Sequence, residues 1–284
     1  MKALVFALLG AMLNLSVQAQ QTHMEQSKTS GYAPVNGLKM YYEVYGNDGI
    51  PLVLIHGGGS TIETSFSNIL PELAAFSKII AVELQAHGRT SDRDAPESFQ
   101  QDADDVAALL RYLKVEKANV LGFSDGGCTT MQLAGHHPEL INKIIVVASN
   151  YTRAGMIDGF FEMMDNASLD NMPAPLKEYY LKVNPDPKGL QTMFNKDRER
   201  RRTFADWPQS DLTRIQAPAL IMMGDKDVIR TEHIVEISKL IPKAELVILP
   251  GVHGALLGEI CTVKAGSRQP EITAMLVKEF LEGN

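Results

Sequence analysis

The fold is decided by the stretch Val120-Leu121-Gly122-Phe123-Ser124-Asp125-Gly126-Gly127, in which an apolar run meets a helix-like segment. The apolar run, 118–123, has the composition of a buried strand. The stretch matches the pattern G-x-S-x-G, which is typical of a strand, a sharp turn and a helix that expose the serine hydroxyl. Gly122 and Gly126 have no Cβ, so strand and helix can approach closely. Ser124 is therefore the candidate nucleophile.

Apolar runs and helix-like segments alternate on both sides of this stretch. Strands are expected at 38–45, 51–55, 78–84, 118–123, 143–148, 219–223 and 245–249, and helices at 65–75, 97–113, 125–136, 231–241 and 271–282. Such alternation predicts an α/β fold with a mostly parallel central sheet flanked by helices.

The segment 151–206 interrupts this rhythm. It contains no strand-like run, and prolines divide a stretch that is rich in methionine, phenylalanine and charge. We interpret it as a helical cap inserted between two parts of one core, 31–150 and 207–284. Phe160, Phe161 and Met163 are candidate substrate contacts, and the cap methionines form either an adaptable pocket or the cap's own core. The charge run 196–202 is expected to be a solvated helix face.

Acid and base candidates follow the predicted strands in the order Ser124, Asp227, His253. In a parallel sheet the carboxyl ends of the strands lie at one edge, so these residues can converge. A serine hydroxyl needs a base to take its proton, which His253 could supply, and a carboxylate to orient that base. Asp225 competes with Asp227 for the last role, and spacing alone does not choose between them.

Glycines after the strand at 51–55 offer unhindered backbone N–H groups. The run 57–59 lacks both the G-x-G-x-x-G spacing and a P-loop lysine, which argues against a nucleotide cofactor. We expect an oxyanion hole instead, with the N–H groups of Gly58 and Asp125 as donors. His56 and His87, which lie in glycine-bearing turns, are expected to be structural.

The chain of 284 residues carries a net charge of −7, which argues against nucleic acid as a partner. Residues 1–19 have a lysine, an apolar run and a small-x-small site, as in a cleaved signal peptide, and 20–30 is expected to be a flexible leader. A secreted or periplasmic protein without a membrane span after cleavage is therefore predicted. That compartment permits, but does not require, a Cys128–Cys261 disulfide. Cysteine and histidine spacing indicates no metal site.

Taken together, these motifs resemble the α/β-hydrolase fold family from about Tyr41 onward. The resemblance rests on Leu54-Ile55-His56-Gly57-Gly58, Gly122-Phe123-Ser124-Asp125-Gly126, Gly224-Asp225-Lys226-Asp227 and Gly251-Val252-His253. It implies a serine esterase or lactonase without a cofactor, and the family's G-x-x-D pattern places the acid at Asp227. It also implies a helical cap at this position. The turn 85–89 departs from the pattern common in the family, so no role is carried over to it.

The residue after the nucleophile is an aspartate, which is similar to the valacyclovir-hydrolase-like members and, more weakly, to serine macrolide esterases. Asp125 could therefore bind an amine on an ester or lactone substrate, or it could be paired inside the protein. Three activities follow as hypotheses: hydrolysis of small-molecule esters or lactones, carbon–carbon bond hydrolysis or perhydrolysis by the same residues, and slow-turnover ligand sensing. The protein is expected to be a monomer or a homodimer.

Overall fold

The computed structural model describes residues 28–46 and 48–283. Eight strands form one sheet in the order β1-β2-β4-β3-β5-β6-β7-β8. The strands are β1 Lys28–Val35, β2 Leu38–Tyr45, β3 Leu52–Ile55, β4 Ile79–Val82, β5 Ala118–Phe123, β6 Ile141–Val147, β7 Ala219–Lys226 and β8 Ala244–Val252. Pairings from β4 to β8 are parallel, and β1 and β2 pair antiparallel at one edge. The predicted α/β-hydrolase architecture is confirmed.

Ten helices accompany the sheet in the described part of the chain. They are α1 Ile62–Phe66, α2 Leu70–Ala74, α3 Phe99–Tyr112, α4 Asp125–His136, α5 Phe160–Asp165, α6 Ala174–Val183, α7 Pro187–Arg202, α8 Ser210–Thr213, α9 Thr231–Leu240 and α10 Gln269–Glu282. Because helices cover both faces of the sheet, β3, β4 and β5 are buried along their whole length. Their apolar runs contribute most of the main hydrophobic core.

Two local expectations need correction. Strand β1 pairs with β2 through Lys28–Ser30, the last three residues assigned to the leader, so the ordered fold begins earlier than predicted. The helix expected at 65–75 is two short helices, α1 and α2, and the second has a proline at its start. The signal peptide predicted at 1–19, and the leader before Lys28, lie outside the described residues.

Helices α5, α6 and α7 occupy the segment between β6 and β7, where the cap was expected. A second, smaller hydrophobic cluster joins them to the core: Met172, Tyr180, Leu190 and Met193 pack with Ala86. The Tyr180 hydroxyl donates a hydrogen bond to the Ala86 carbonyl at 3.2 Å. These helices therefore lie over the edge of the sheet at which the parallel strands end. Within residues 28–46 and 48–283, no helix combines the length and apolarity that a membrane span requires.

Candidate active site

Ser124 occupies the turn between β5 and α4. Its backbone is left-handed, with φ 55° and ψ −117°, a conformation that is costly for a residue with a side chain. The turn is held because the Ser124 N–H donates to the Val147 carbonyl at 2.9 Å, while the Ser149 hydroxyl donates to the Ser124 carbonyl at 2.6 Å.

Glycines make this turn possible. A methyl group at Gly122 would lie 2.1 Å from the Gly126 carbonyl oxygen, and one at Gly126 would lie 2.1 Å from the Ile55 carbonyl oxygen. A methyl group at Gly127 would lie 2.0 Å from the Ser149 hydroxyl. Strands β3 and β5 and helix α4 therefore meet at backbone contact around the serine, and the Ser149 side chain packs closely against Gly127.

His253 and Asp227 converge on Ser124 from the ends of β8 and β7. His253 Nε2 lies 3.1 Å from Ser124 Oγ, and His253 Nδ1 lies 2.8 Å from Asp227 Oδ1. The Asp227 side chain is fully buried, and its Oδ1 also accepts the Ile229 N–H at 3.1 Å. With the ring hydrogen on Nδ1, Nε2 is free to accept the serine proton.

The alternative carboxylate, Asp225, lies elsewhere. Its Oδ1 accepts the Gly251 N–H at 2.8 Å, which ties β7 to the end of β8. Of the two aspartates that the sequence left open, the structure therefore brings only Asp227 to His253.

The two expected oxyanion donors lie beside Ser124. Gly58 follows β3, and Asp125 is the first residue of α4, where a backbone N–H has no acceptor within its own helix. A methyl group at Gly58 would lie 2.9 Å from Asp125 Oδ2, so the two loops are in contact. Both residues line one cavity together with Ser124 and His253.

This cavity measures about 590 Å³, within the usual range for small-molecule sites. Its walls are mainly cap side chains: Met156, Phe160, Met163, Met164, Met172, Leu176, Met193 and Phe194. Five cap methionines line the cavity, and Met172 and Met193 also belong to the cap's own core, so both interpretations hold.

Two of the three candidate cap contacts, Phe160 and Met163, line the cavity. Phe161 does not line it. Its ring packs 3.5 Å from the Arg153 guanidinium carbon on the other side of α5. Phe161 is partly buried against a separate hydrophobic cluster formed by Phe99, Cys128 and Phe204.

The Asp125 carboxylate is fully paired inside the protein. Arg200 Nη2 donates to its Oδ2 at 2.8 Å, and Arg201 Nη2 donates to its Oδ1. Arg201 also donates to Asn150 Oδ1 at 3.0 Å. Two buried guanidinium groups thus bind this carboxylate, so of the two alternatives for Asp125, pairing inside the protein is the one observed.

The same contacts correct the interpretation of the charge run 196–202. Arg200 and Arg201 are buried, and Asp197 faces the core between them and the loop that contains Gly58 and Gly59. Only part of the run is solvated, including the exposed pair Arg202–Glu199. The sequence analysis did not predict that Asp197, Arg200 and Arg201 face inward, although one pattern in the sequence indicates it. Leu190, Met193, Asp197, Arg200 and Arg201 recur at helical spacing as a single stripe.

His87 connects the core to this stripe. Its Nδ1 lies 2.7 Å from the Gln85 carbonyl and its Nε2 lies 2.9 Å from Asp197 Oδ2, and both partners can only accept. Burial opposes the charged form, but the adjacent Asp197 carboxylate outweighs it and raises the pKa of His87 to about 9. His56 behaves oppositely, because burial lowers its pKa to about 3 and its Nε2 accepts the Leu84 N–H.

His87, Glu97 and Asp197 lie close enough together for a metal ion to be considered. The Arg200 guanidinium already pairs with both carboxylates, at 3.5 Å from Glu97 Oε2 and 2.5 Å from Asp197 Oδ1. A divalent ion would have to displace the His87–Asp197 hydrogen bond and would face the guanidinium. We therefore assign no metal to this cluster.

Both cysteines are free thiols. Cys128 is buried in α4, where its Sγ lies 3.2 Å from the Asn150 carbonyl, and burial raises its pKa. Cys261 lies beyond β8 and is exposed.

A family model described as the alpha/beta hydrolase fold matches residues 50–204, more than half of the chain. The chain belongs to the alpha/beta hydrolase fold family.

Three relatives illustrate the range of this family. The human serine hydrolase BPHL is 29% identical over 215 residues, 71% of each chain. The 2-hydroxymuconate semialdehyde hydrolase of Pseudomonas sp. is 33% identical over 106 residues, 36% of this chain and 37% of that protein. The structure of Est816, described as an N-acyl homoserine lactone degrading enzyme, superposes with a TM-score of 0.65 at 25% identity, over 86% and 97% of the two chains.

Proposed function

We propose that the chain is a serine hydrolase that cleaves carboxylic esters or lactones through an acyl-enzyme. The observation that carries this proposal is the chain of contacts from Ser124 Oγ through His253 to Asp227, at 3.1 and 2.8 Å, at the base of an apolar cavity. The similarity to a serine hydrolase and to a lactone-degrading enzyme supports it.

In this mechanism, Ser124 Oγ attacks the substrate carbonyl carbon while His253 Nε2 takes the hydroxyl proton. Asp227 holds the ring orientation and stabilises the imidazolium that forms. The N–H groups of Gly58 and Asp125 face the oxygen on which negative charge develops. Collapse of the intermediate expels the alcohol, which receives the proton from His253. Water then attacks the acyl-enzyme, with His253 again acting as the base.

The cavity favours an uncharged substrate with a large apolar part. Methionine and phenylalanine side chains form most of its wall, and the carboxylate next to the nucleophile is neutralised by two arginines. An amine-bearing ester, and with it an amino-sugar macrolide, would find no free anion at Asp125. An apolar acyl ester or an acyl-substituted lactone fits this wall better.

Ser124→Ala tests the proposal. The variant should fold normally, because the turn between β5 and α4 depends on glycines, and should lose hydrolysis of p-nitrophenyl butyrate by about 10⁴-fold or more. Multiple turnover by the wild type would favour an enzyme, and a single stoichiometric burst would favour the slow sensor instead. Activity retained in Ser124→Ala would exclude the covalent mechanism.

Carbon–carbon bond hydrolysis is the second candidate, and the similarity to the 2-hydroxymuconate semialdehyde hydrolase favours it. Comparing kcat/KM for 2-hydroxymuconate semialdehyde with that for p-nitrophenyl butyrate, on the same preparation, decides between the two. A preference of about 100-fold or more for the semialdehyde, equivalent to about 2.7 kcal/mol, would displace the ester proposal.

We also propose that the protein is exported, on the basis of the predicted signal peptide at 1–19. Expression of the full chain in a Gram-negative host, followed by fractionation and intact-mass measurement, tests this. A periplasmic product that begins at Gln20 is expected, whereas a cytoplasmic product of full mass would contradict it. Light scattering of the same material would distinguish the predicted monomer from a homodimer.

A further inference from the structure

Helix α7 of the cap contacts both loops that supply the oxyanion donors. Asp197 Oδ2 accepts the N–H of Gly59, the residue after Gly58, at 2.5 Å. Arg200 Nη2 donates to Asp197 Oδ1 at 2.5 Å and to Asp125 Oδ2 at 2.8 Å. A continuous path of hydrogen bonds therefore runs from the Gly58–Gly59 loop, through one turn of the cap helix, to the residue after the nucleophile.

Each group on this path is held by further partners. Asp197 Oδ2 also accepts from His87 Nε2 at 2.9 Å, and the second oxygen of Asp125 is bound by Arg201. The Arg200 side chain is 3% exposed and also donates to Asp102 Oδ2 at 2.8 Å. Charged hydrogen bonds in a dry environment resist displacement more strongly than the same bonds in water.

The charge on Asp125 explains why this path through Asp197 and Arg200 is required. A carboxylate at Asp125 begins next to the position at which the oxyanion develops, and an unpaired negative charge there would oppose the reaction. The guanidinium of Arg200 neutralises that charge and at the same time fixes the distance between the two donor loops. Burial would raise the pKa of Asp197, but His87 and Arg200 hold it below its ordinary value, so the Asp197 carboxylate is ionised.

We propose that Asp197 and Arg200 are positioning residues of the oxyanion hole, through which the docked cap helix sets the spacing of the Gly58 and Asp125 N–H groups. The inference rests on the proposed serine mechanism and deepens it. It makes the cap part of transition-state stabilisation as well as part of the substrate pocket. A cap that is displaced at α7 would bind substrate but stabilise the tetrahedral intermediate poorly.

The alternative is that these charges only attach the cap. A purely structural attachment, when weakened, would lower the stability and the affinity for every cavity ligand together. A positioning pair, when weakened, would lower kcat and the affinity for a tetrahedral adduct, and would leave ground-state binding intact. The two cases therefore differ in the ratio of the affinity for a tetrahedral adduct to the affinity for a ground-state ligand, which can be measured.

Asp197→Asn is the main variant, because it keeps the shape of the side chain and one acceptor while removing the charge. Arg200→Lys is the second, because it keeps the positive charge but loses the fork that reaches two carboxylates. Glu199→Gln and Arg202→Gln are the matched controls. They break an exposed ion pair on the same turn of α7, where the two side chains are 53% and 46% exposed.

The probe is a trifluoromethyl ketone with an apolar chain, compared with the corresponding secondary alcohol. Ser124 Oγ adds to the ketone carbon, the C=O π bond opens to an oxyanion, and His253 holds the proton that the serine released. The alcohol has the same shape but has no carbonyl to attack. We expect Asp197→Asn and Arg200→Lys to lower kcat and weaken ketone inhibition by about 10-fold or more.

In the same variants, KM and alcohol affinity should stay within about twofold of wild type, and both control variants should match wild type throughout. Equal weakening of ketone and alcohol in Asp197→Asn would overturn the inference and leave only structural attachment. If Arg200→Lys does not fold, Asp197→Asn decides the question by itself. If wild-type protein binds ketone and alcohol equally, the serine mechanism itself fails, and the inference fails with it.

Discussion

Two histidine–carboxylate pairs border the same cavity, and they differ in what the second ring nitrogen contacts. In His253–Asp227 the nitrogen opposite the carboxylate lies 3.1 Å from the Ser124 hydroxyl, a group that can donate a proton. In His87–Asp197 the opposite nitrogen lies 2.7 Å from a carbonyl oxygen, which can only accept. The carboxylate distances, 2.8 and 2.9 Å, are nearly the same.

This difference separates a proton carrier from a fixed charge. A base must have one nitrogen without hydrogen, and only His253 can provide it, with a side chain that is 28% exposed to the cavity. The His87 ring is 1% exposed and donates from both nitrogens, so it remains an imidazolium that anchors the cap. A short distance between histidine and carboxylate is therefore not sufficient evidence of a catalytic pair.

The largest expected effect comes from exchanging the two histidines for glutamine, one at a time. His253→Gln should lower kcat by about 10⁶-fold, the cost of losing a member of such a unit. His87→Gln should lower the melting temperature and reduce kcat far less, because it removes a charge from the cap attachment but no proton acceptor. Steady-state assays and thermal melts of both variants measure this contrast. If the His87 variant lost more activity, the assignment of roles would be reversed.

The two aspartates near His253 sharpen the same contrast. Asp227→Asn should lower kcat by about 10⁴-fold, because the amide favours the wrong ring tautomer. Asp225→Asn should reduce activity only slightly, since that carboxylate accepts a backbone N–H at the end of β8. Comparison of kcat for the two variants on one ester is the measurement. Similar losses would mean that either carboxylate can orient the base.

Stability should fall as the pH rises from about 6.5 to 9. The pKa of His87 is raised to about 9, so its contribution is complete below the ordinary value near 6.5 and is lost as pH passes 9. Burial also raises the pKa of Glu97 to about 8, and its ionisation acts in the same direction. The groups facing His87 are Asp197, Glu97, Arg200 and His56.

Thermal melts across this range provide the check. The melting temperature should drop by several degrees, since about 1 kcal/mol corresponds to about 2–4 °C in a domain of roughly 150–250 residues. In His87→Gln the dependence of the melting temperature on pH should be shallower, because one of the groups that titrate in this range is gone. A melting temperature that is independent of pH would mean that His87 is neutral.

The smallest expected effect concerns neighbouring cap residues. Phe160→Ala should lower kcat/KM for long-chain p-nitrophenyl esters relative to the acetate by about 10-fold, because a cavity wall is removed. Phe161→Ala should leave this ratio unchanged and lower the melting temperature, since its ring packs on Arg153 outside the cavity. A shift in chain-length preference in the Phe161 variant alone would show that the cap rearranges when substrate binds.

The features that could be predicted from the sequence are those fixed by local chemistry. Ser124 has a turn motif, and Asp227 and His253 follow strands whose order is set by the alternation of apolar runs. Gly58 and Asp125 follow from the same logic, because backbone donors at a glycine loop and at a helix start require no knowledge of packing. The fold class was predictable for the same reason.

The features that could not be predicted depend on how the cap lies on the core. The sequence shows that α7 is charged, but only its docking determines that Arg200 and Arg201 face Asp125 rather than water. The sequence accordingly left open whether Asp125 binds a substrate amine or is paired inside the protein, and it did not distinguish Phe160 from Phe161. Strand β1 was not predicted because its residues are mostly polar or small. It is stabilised as a strand by its pairing with β2, which the sequence pattern does not show.

The backbone contacts around the turn at Ser124 also determine which parts of the protein can accept substitutions during evolution. No side chain fits at Gly122 or Gly126, where a methyl group would lie 2.1 Å from a backbone carbonyl oxygen. New substrate preferences therefore cannot arise there by small substitutions. They must arise among the methionines and phenylalanines of the cap, where flexible side chains can be exchanged singly, while the reacting groups keep their places over long divergence.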